Sequence, residues 1–183
     1  MKISQRILAV TMMASSIAIS GENPPSTLID ELQGVYKHRF QNGTVDGDKY
    51  QSEDIVEIVP FDATSIYIRT HIEFFNGHQC DISGIAKYEN GIFVYHSSEK
   101  AFDTDLYCTL KVSHDQKNIN LTDIDEANQV STCSYFCGAR GTFNNYSISR
   151  FSKRNIRYLD RLKASTEYNS AVEEYQKSQS KKP

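Results

Sequence analysis

Apolar and polar residues alternate along most of this chain, from Tyr36 to about Arg150, and no other feature constrains its fold as strongly. Successive side chains of a β-strand point to opposite faces of a sheet, so a period of two predicts strands that bury one face. We expect strands at residues 35–41, 50–60, 64–75, 79–88, 92–97, 107–113, 117–123 and 141–150. This pattern predicts a mainly β fold, an antiparallel meander of about eight strands that forms a barrel or a strongly curved sheet.

Two helices are expected to flank the strands. Thr27 and Asp30 have the spacing of a capping box and predict a short N-terminal helix that ends before Gly34. Residues 153–177 carry apolar side chains at mostly helical spacing and predict a long amphipathic helix. Because residues 92–95 are apolar on both faces of their strand, we expect this helix to cover the outer wall of the sheet.

The hairpin between the third and fourth predicted strands can form in more than one register. A two-residue turn at Asn76 and Gly77 would place Ile72 opposite Asp81, which mixes apolar and charged residues on one face. A three-residue loop at 76–78 pairs Ile72 with Ile82 instead. We predict this second register, with Gly77 at positive φ.

The first twenty residues have the three parts of a secretory signal: a basic start, an apolar run at 7–19 and small residues before a cleavage point after Ser20. The remaining chain is predicted to comprise an extended leader at 21–25, one domain at 26–177 and a disordered polar tail at 178–183. The apolar run is too short to remain as a membrane span, so we expect a periplasmic or secreted protein that does not cross the membrane. Removal of 1–20 lowers the formal net charge from −3 to −5, which disfavours nucleic acid as a partner.

An even number of cysteines in an exported chain predicts disulfides. Of the three ways to pair Cys80, Cys108, Cys133 and Cys137, we expect Cys80–Cys108, which would join two strands, and Cys133–Cys137, which would close a compact turn. The cysteines and histidines lack the spacing of a zinc site, so no metal is predicted. His71 is expected to be an ordinary surface histidine, facing outward beside Ser83.

Two groups of residues are candidates for binding. Tyr135, Phe136 and Arg140 surround the last cysteine pair, and rigid aromatic side chains beside an arginine are typical of binding hot spots. Alternatively, these aromatics cap the end of the barrel. The second group is a basic strip on the predicted C-terminal helix, Arg154, Arg157 and Arg161, which would suit an anionic surface or would only be solvated.

The segment Gly34-Val35-Tyr36, the meander and the late helix resemble the lipocalin-like plan, in which a Gly-x-Trp motif begins the first strand. The resemblance implies a cavity for a small apolar ligand. Its wall would comprise Phe40, Ile66, Ile68, Ile72, Phe74, Ile82 and Leu110. Alternatively, these side chains fill the interior, as is common in eight-stranded barrels.

Residues 83–88, Ser-Gly-Ile-Ala-Lys-Tyr, resemble the Ser-Gly-Ala-Lys/Arg-Tyr loop of the small periplasmic β-barrel inhibitors of lysozyme, with one residue inserted. This resemblance implies an inhibitor-type module. The known catalytic and cofactor motifs are not found in the sequence, so neither a catalytic residue nor a cofactor is predicted. The leading interpretation is an exported, non-enzymatic binding protein for a protein or an anionic envelope component. The alternatives are a lipocalin-like carrier and a hydrolase whose residues are scattered.

Overall fold

The computed structural model of the protein describes residues 25–100 and 105–180. The predicted signal peptide at 1–20 and most of the predicted leader lie outside these ranges. The elements that build the fold follow in chain order: α1 (Pro25–Leu32), β1 (Gly34–Gly43), β2 (Lys49–Pro60), β3 (Ser65–Glu73), β4 (Gln79–Glu89), β5 (Ile92–Lys100), β6 (Tyr107–His114), β7 (Asn118–Thr122), β8 (Ile124–Asp125), β9 (Val130–Ser131), β10 (Tyr146–Ser149), α2 (Leu159–Lys163) and α3 (Thr166–Ser180).

Within the described ranges, β1 to β7 and β10 form one antiparallel sheet in the order β1-β2-β3-β4-β5-β6-β7-β10, which curves into a nearly closed barrel. The expected meander is therefore confirmed. The small hairpin of β8 and β9 was not predicted, and the last strand begins at Tyr146 rather than at residue 141. In the described part of the chain, no helix is long and apolar enough to span a membrane.

The interior of the barrel consists of alternate side chains from all eight strands, as the period of two predicts. The largest of the fully buried side chains are Tyr36, Tyr67, Phe93, Phe143, Leu32, Ile58, Ile66, Ile68, Ile72, Leu110, Ile119 and Leu121. Tyr67 belongs to a separate outer cluster, and the others form one continuous core. Helix α1 closes one end, since Leu28 and Leu32 join this core and the Tyr36 hydroxyl donates to the Leu32 carbonyl at 2.7 Å.

The C-terminal helices cover the outer wall of the sheet, as expected from the apolar residues on both faces of the strand at 92–95. Val59, Tyr67 and Ile85 on the outer faces of β2 to β4 pack against Leu162 and Ala171 of the helices. This packing confirms the predicted position of the C-terminal helix on the outer wall of the sheet. The extent of the helix was wrong, because two helices separated at residues 164–165 replace the single helix expected at 153–177. Helix α3 also continues to Ser180, three residues into the tail that was expected to be disordered.

Residues 153–158 are not helical, and the edge of the sheet binds the start of this segment. The backbone of Val35 accepts a hydrogen bond from Arg154 N at 2.8 Å and donates one to Arg154 O at 2.9 Å. Lys37 N donates to the Ser152 hydroxyl at 3.2 Å. These bonds satisfy the start of the β1 edge, which faces the gap between β1 and β10. An extended segment can pair with this edge, whereas a helix cannot.

A buried ion pair lies between the barrel wall and the segment that leads to α2. Glu57 on β2 is fully buried, pairs with the half-buried Arg69 on β3, and accepts a hydrogen bond from the Tyr158 hydroxyl. Burial and the Glu57 carboxylate raise the pKa of Tyr158 to about 12. The hydroxyl therefore stays protonated and donates to Glu57 across the physiological pH range.

The predicted register of the β3–β4 hairpin was wrong by two residues. Ile72 lies opposite Cys80, and Thr70 lies opposite Ile82. The loop contains five residues, 74–78, because a short 3₁₀ turn at Phe75–Gly77 bonds to the neighbouring hairpin, with Gly77 N donating to the Tyr50 hydroxyl at 2.8 Å. A shift of two residues keeps every side chain on its predicted face. The positive φ of Gly77 is confirmed, at 71°.

The disulfide pairing was also wrong: Cys80 joins Cys137, and Cys108 joins Cys133. The expected Cys80–Cys108 bridge would join β4 to β6, but β5 lies between these strands in the sheet. Instead, the loop at 133–137 is bonded to both strands: Cys137 to Cys80 on β4, and Cys133 to Cys108 on β6. Since all four cysteines are paired, the chain is suited to an oxidising compartment such as the periplasm or the extracellular space.

We predict that non-reducing peptide mapping will recover Cys80 with Cys137 and Cys108 with Cys133. A Cys80→Ala/Cys137→Ala variant is expected to lose roughly 4 kcal/mol of unfolding free energy, and a Cys108→Ala/Cys133→Ala variant roughly 3.5 kcal/mol, because the first bridge closes the longer ring. Chemical denaturation measures both losses. Recovery of a peptide that links Cys133 to Cys137 would contradict the pairing.

We also predict that Arg69→Met will lower the free energy of unfolding by about 3 kcal/mol, because Glu57 would then be a buried charge without its ion-pair partner. Arg39→Met is the matched control, since Arg39 pairs with Glu53 in an exposed position. That change is expected to cost less than about 1 kcal/mol. Equal losses in the two variants, measured by denaturation in urea, would show that the Glu57 pair does not stabilise the fold.

Candidate functional site

Strands β4 and β5 separate from each other after a short paired segment. Residues 87–89 of β4 pair with residues 92–94 of β5, and no other residues of the two strands pair. A tight turn joins them, with a φ of 48° at Asn90 and of 90° at Gly91. Beyond Lys87 the strands diverge. Because backbone groups alternate in direction along a strand, those of Gln79, Asp81 and Ser83 turn away from β3. The start of this edge pairs with the loop residue Cys137, opposite Cys80, and the backbone groups of Ser83 face the gap. We call this gap the β4–β5 cleft.

Tyr95 occupies the point where the two strands diverge. Its ring lies directly over Gly84, where a Cβ atom would come within 2.2 Å of the ring. Its hydroxyl donates to the Glu174 carboxylate on α3 at 3.3 Å, and Ser98 N donates to the other carboxylate oxygen at 2.6 Å. Burial, with a further contribution from Glu174, raises the pKa of Tyr95 well above its usual range. Helix α3 thus supplies the acceptor that a neighbouring strand would have provided for Ser98.

The disulfide-held loop at 133–137 closes one end of the cleft. The free edge of β4 receives it, since Gly138 N donates to the Gln79 carbonyl at 2.8 Å. The ring of Tyr135 is 63% exposed and meets the half-buried Phe136 edge to face, with ring centroids 5.7 Å apart. Two disulfides on either side of these aromatics fix them at the rim of the cleft.

The cleft is acidic. It has a volume of 440 Å³ and is lined by Asp81, Ser83, Tyr95, Ser97, Ser98, Glu99, Lys100, Cys108, Tyr135, Phe136 and Glu174. Among these residues, Asp81, Glu99 and Glu174 carry carboxylates, and Lys100 carries the one ammonium group. Lys100 is already paired with Asp105 at 3.0 Å. A cation that enters the cleft therefore meets uncompensated negative charge.

His71 lies behind the cleft and contacts one of its carboxylates. Its Nδ1 is 2.7 Å from Asp81 Oδ1, and its Nε2 is 3.3 Å from Glu73 Oε1. Burial alone would lower the pKa of His71, but the hydrogen bonds and charges of Asp81 and Glu73 outweigh burial and raise it. The sequence placed His71 on the surface beside Ser83, whereas the true register places it opposite Asp81.

The structure brings only part of the predicted binding group together. Tyr135 and Phe136 both line the cleft, but Arg140 does not. Its guanidinium lies 5.7 Å from the centroid of the Phe75 ring, in the loop between β3 and β4.

The predicted basic strip does not form one helical face. Arg154 belongs to the extended segment beside β1, Arg157 precedes α2, and Arg161 lies over the Tyr158 ring at 5.5 Å. All three side chains are exposed. Since residues 154–158 are not helical, the spacing that was expected to align these arginines is lost.

The predicted cavity residues lie mostly in the packed core. Ile66, Ile68, Ile72, Ile82 and Leu110 are buried there, and Phe74 packs against its margin. Phe40 is half-exposed and stacks on His38, with ring centroids 5.3 Å apart. Large aromatic side chains share the same interior, which favours the interpretation that these residues fill the barrel.

Sequence reasoning did not find the acidic residues of the cleft. Asp81 and Ser83 follow the outward alternation of β4, which is the pattern of any solvated strand face. Glu174 reaches β5 from a helix 76 residues further along the chain, and the spacing of residues within α3 does not reveal such a contact. The segment that resembles the lysozyme-inhibitor loop lies within β4, and its first residue, Ser83, lines the cleft.

The chain matches no protein-family model, and no curated protein or solved structure is significantly similar to it. The lipocalin-like and lysozyme-inhibitor resemblances therefore stay predictions. The functional interpretation therefore depends on the geometry of the chain's own residues. The acidic β4–β5 cleft is the candidate site.

Proposed function

We propose that the protein is an exported, non-enzymatic binding module that takes a cationic segment of another protein into the β4–β5 cleft. The observation that carries this proposal is the coincidence of a free strand edge and three carboxylates beneath a disulfide-held aromatic pair. The module would act in the periplasm or outside the cell, after cleavage of residues 1–20. Its net charge would then be −5, which also attracts basic proteins from a distance.

The free edge of β4 suits an extended peptide. The loop at 136–138 pairs with the start of this edge, opposite Cys80, and the backbone groups of Ser83 beyond it face the cleft. An added strand would bind there through main-chain hydrogen bonds, as is common at such edges. A lysine or arginine side chain of the added strand would reach Asp81, Glu99 or Glu174 and form charge-assisted hydrogen bonds.

The rim of the cleft supplies the apolar contact. Tyr135 is mostly exposed, and a large aromatic side chain with few rotatable bonds is typical of a binding hot spot. Because two disulfides already fix the loop that carries it, little conformational entropy is lost when a partner binds. The packed interior of the barrel supports this site in preference to an internal ligand cavity.

We predict that a decapeptide of alternating lysine and valine will bind the mature protein, whereas the matching glutamate–valine peptide will not. Tyr135→Ala/Glu99→Gln is expected to weaken binding by about tenfold, because it removes the exposed hot spot and one carboxylate. Phe151→Ala/Asp46→Asn is the matched control, which changes an exposed aromatic and an exposed carboxylate outside the cleft. Fluorescence anisotropy at low salt measures the affinities. Equal weakening by both double variants, or preference for the anionic peptide, would refute the proposal.

The His71–Asp81 contact predicts how this binding depends on pH. Below the raised pKa of His71, the imidazolium neutralises Asp81, and above that pKa the carboxylate is free for a cation. Affinity for the lysine–valine peptide is therefore expected to increase as the pH rises from about 6 to about 8.5. In His71→Gln the increase should be absent, because the titrating group is gone. A similar pH profile in both proteins would assign the titration to another residue.

A further inference from the structure

A second concave surface lies on the other side of β5, between the barrel wall and the β8–β9 hairpin. It is lined by His96, Ser97, Asp105, Leu106, Tyr107, Thr109, Lys111, Ile124, Asp125, Glu126 and Thr132. We call it the β8–β9 groove. Its volume of 570 Å³ lies within the range of about 300–1,000 Å³ that is typical of small-molecule sites.

The hairpin that forms one wall of this groove is rigidly held. Asp123, at the end of β7, is fully buried and accepts hydrogen bonds from Cys133 N at 2.9 Å and from the Ser131 hydroxyl. The Thr132 hydroxyl donates to the Asp123 carbonyl at 2.9 Å and accepts from Thr109 N at 3.0 Å. The Cys108–Cys133 disulfide joins the same segment to β6. A ligand would therefore meet a wall that is already in place.

Two of the three carboxylates that line the groove form ion pairs within the protein, and the third accepts hydrogen bonds from its own turn. Lys111 pairs with Glu126 at 2.9 Å, and Asp105 pairs with Lys100. The Asp125 carboxylate accepts hydrogen bonds from Ala127 N and Asn128 N, which hold its pKa below the usual range. A charged ligand would have to compete with these ion pairs and hydrogen bonds. A neutral polar ligand would not.

The groove nevertheless offers hydrogen-bonding atoms. The Nδ1 atom of His96 is bound to the Thr109 hydroxyl at 3.0 Å, which fixes the ring and leaves Nε2 for a ligand. Each paired carboxylate has a second oxygen, and its ion-pair partner donates to only one of the two. These donors and acceptors are positioned by their neighbours before a ligand arrives.

Tyr107 supplies an exposed aromatic face at the rim of the groove. It is 49% exposed at the start of β6, where the strand pairs with β5 alone, and Lys100 approaches one face of the ring at 5.9 Å. The C–H face of a pyranose ring stacks on such an aromatic surface, while its hydroxyls bond to fixed polar side chains. We propose that the β8–β9 groove binds a short neutral oligosaccharide stacked on Tyr107. An extended peptide does not fit, because His96 and Thr109 are already paired across the floor.

The test is titration of the isotope-labelled mature protein with five trisaccharides of similar size, followed by NMR. Chitotriose is neutral, its deacetylated form is cationic, and trigalacturonate is anionic; maltotriose and cellotriose extend the neutral set. At least one neutral trisaccharide is expected to produce saturable shifts of the Thr109, Lys111 and Thr132 amides. The charged trisaccharides are expected to bind more weakly.

Tyr107→Ala is expected to weaken this binding by about tenfold, whereas Tyr107→Phe should keep the stacking and most of the affinity. Phe151→Ala, which removes an exposed aromatic elsewhere, should change nothing. The cleft variant Tyr135→Ala/Glu99→Gln should also retain the affinity, so failure of the cleft proposal would not affect this one. The inference is wrong if no neutral trisaccharide produces saturable shifts in the groove, if a charged one is preferred, or if a folded Tyr107→Ala protein binds as well as the native form.

Discussion

The two disulfides at residues 133 and 137 hold together the part of the barrel where the sheet lacks its own hydrogen bonds. Where β4 and β5 diverge, helix α3 and the loop at 133–137 connect the two halves of the sheet. Cys137 joins β4 and Cys133 joins β6, so the loop spans the gap covalently. The rigid aromatics of the cleft and the fixed hairpin of the groove both depend on this connection.

The other gap, between β1 and β10, is closed by different means. Residues 152–154 lie along β1 and satisfy part of its edge. The Tyr146 hydroxyl on β10 donates to the buried Asp54 carboxylate on β2 at 2.9 Å, and Arg150 forms an ion pair with Glu31 on α1. In both gaps, the segments that complete the barrel come from the C-terminal part of the chain. Such contacts are far apart in sequence, and chains rich in them tend to fold slowly.

The sequence predicted the parts of this fold that depend on local pattern. The strands, the buried faces of β3 and β4 and the turn at Asn90 and Gly91 follow from alternation and from residues that tolerate positive φ. The register of the β3–β4 hairpin could not be predicted, because it depends on bonds between Gly77 and Tyr50 of another hairpin. The disulfide pairing required the order of strands in the sheet. Residues 153–158 had helical spacing, but the open edge of β1 determined their conformation.

The candidate site was predicted only in part for the same reason. Tyr135 and Phe136 were identifiable, since cysteines flank them closely in sequence. Arg140 is equally close in sequence but points to Phe75, because the Cys80–Cys137 bridge turns the chain away from the cleft. The acidic members come from β4, β5 and α3, and their proximity is a property of the folded barrel.

The unpaired stretch of β4 has a consequence for how the molecule avoids self-association. An exposed strand edge is a template onto which a second chain can add, and proteins commonly protect such edges with charge, bulges or covering segments. Here Asp81 places a negative charge near the edge, α3 packs against the outer face of the strand, and the cystine-tethered turn covers the start of the edge. Reduction of Cys80–Cys137 would release that cover. A reducing environment would then favour edge-to-edge aggregates of molecules whose core is still intact.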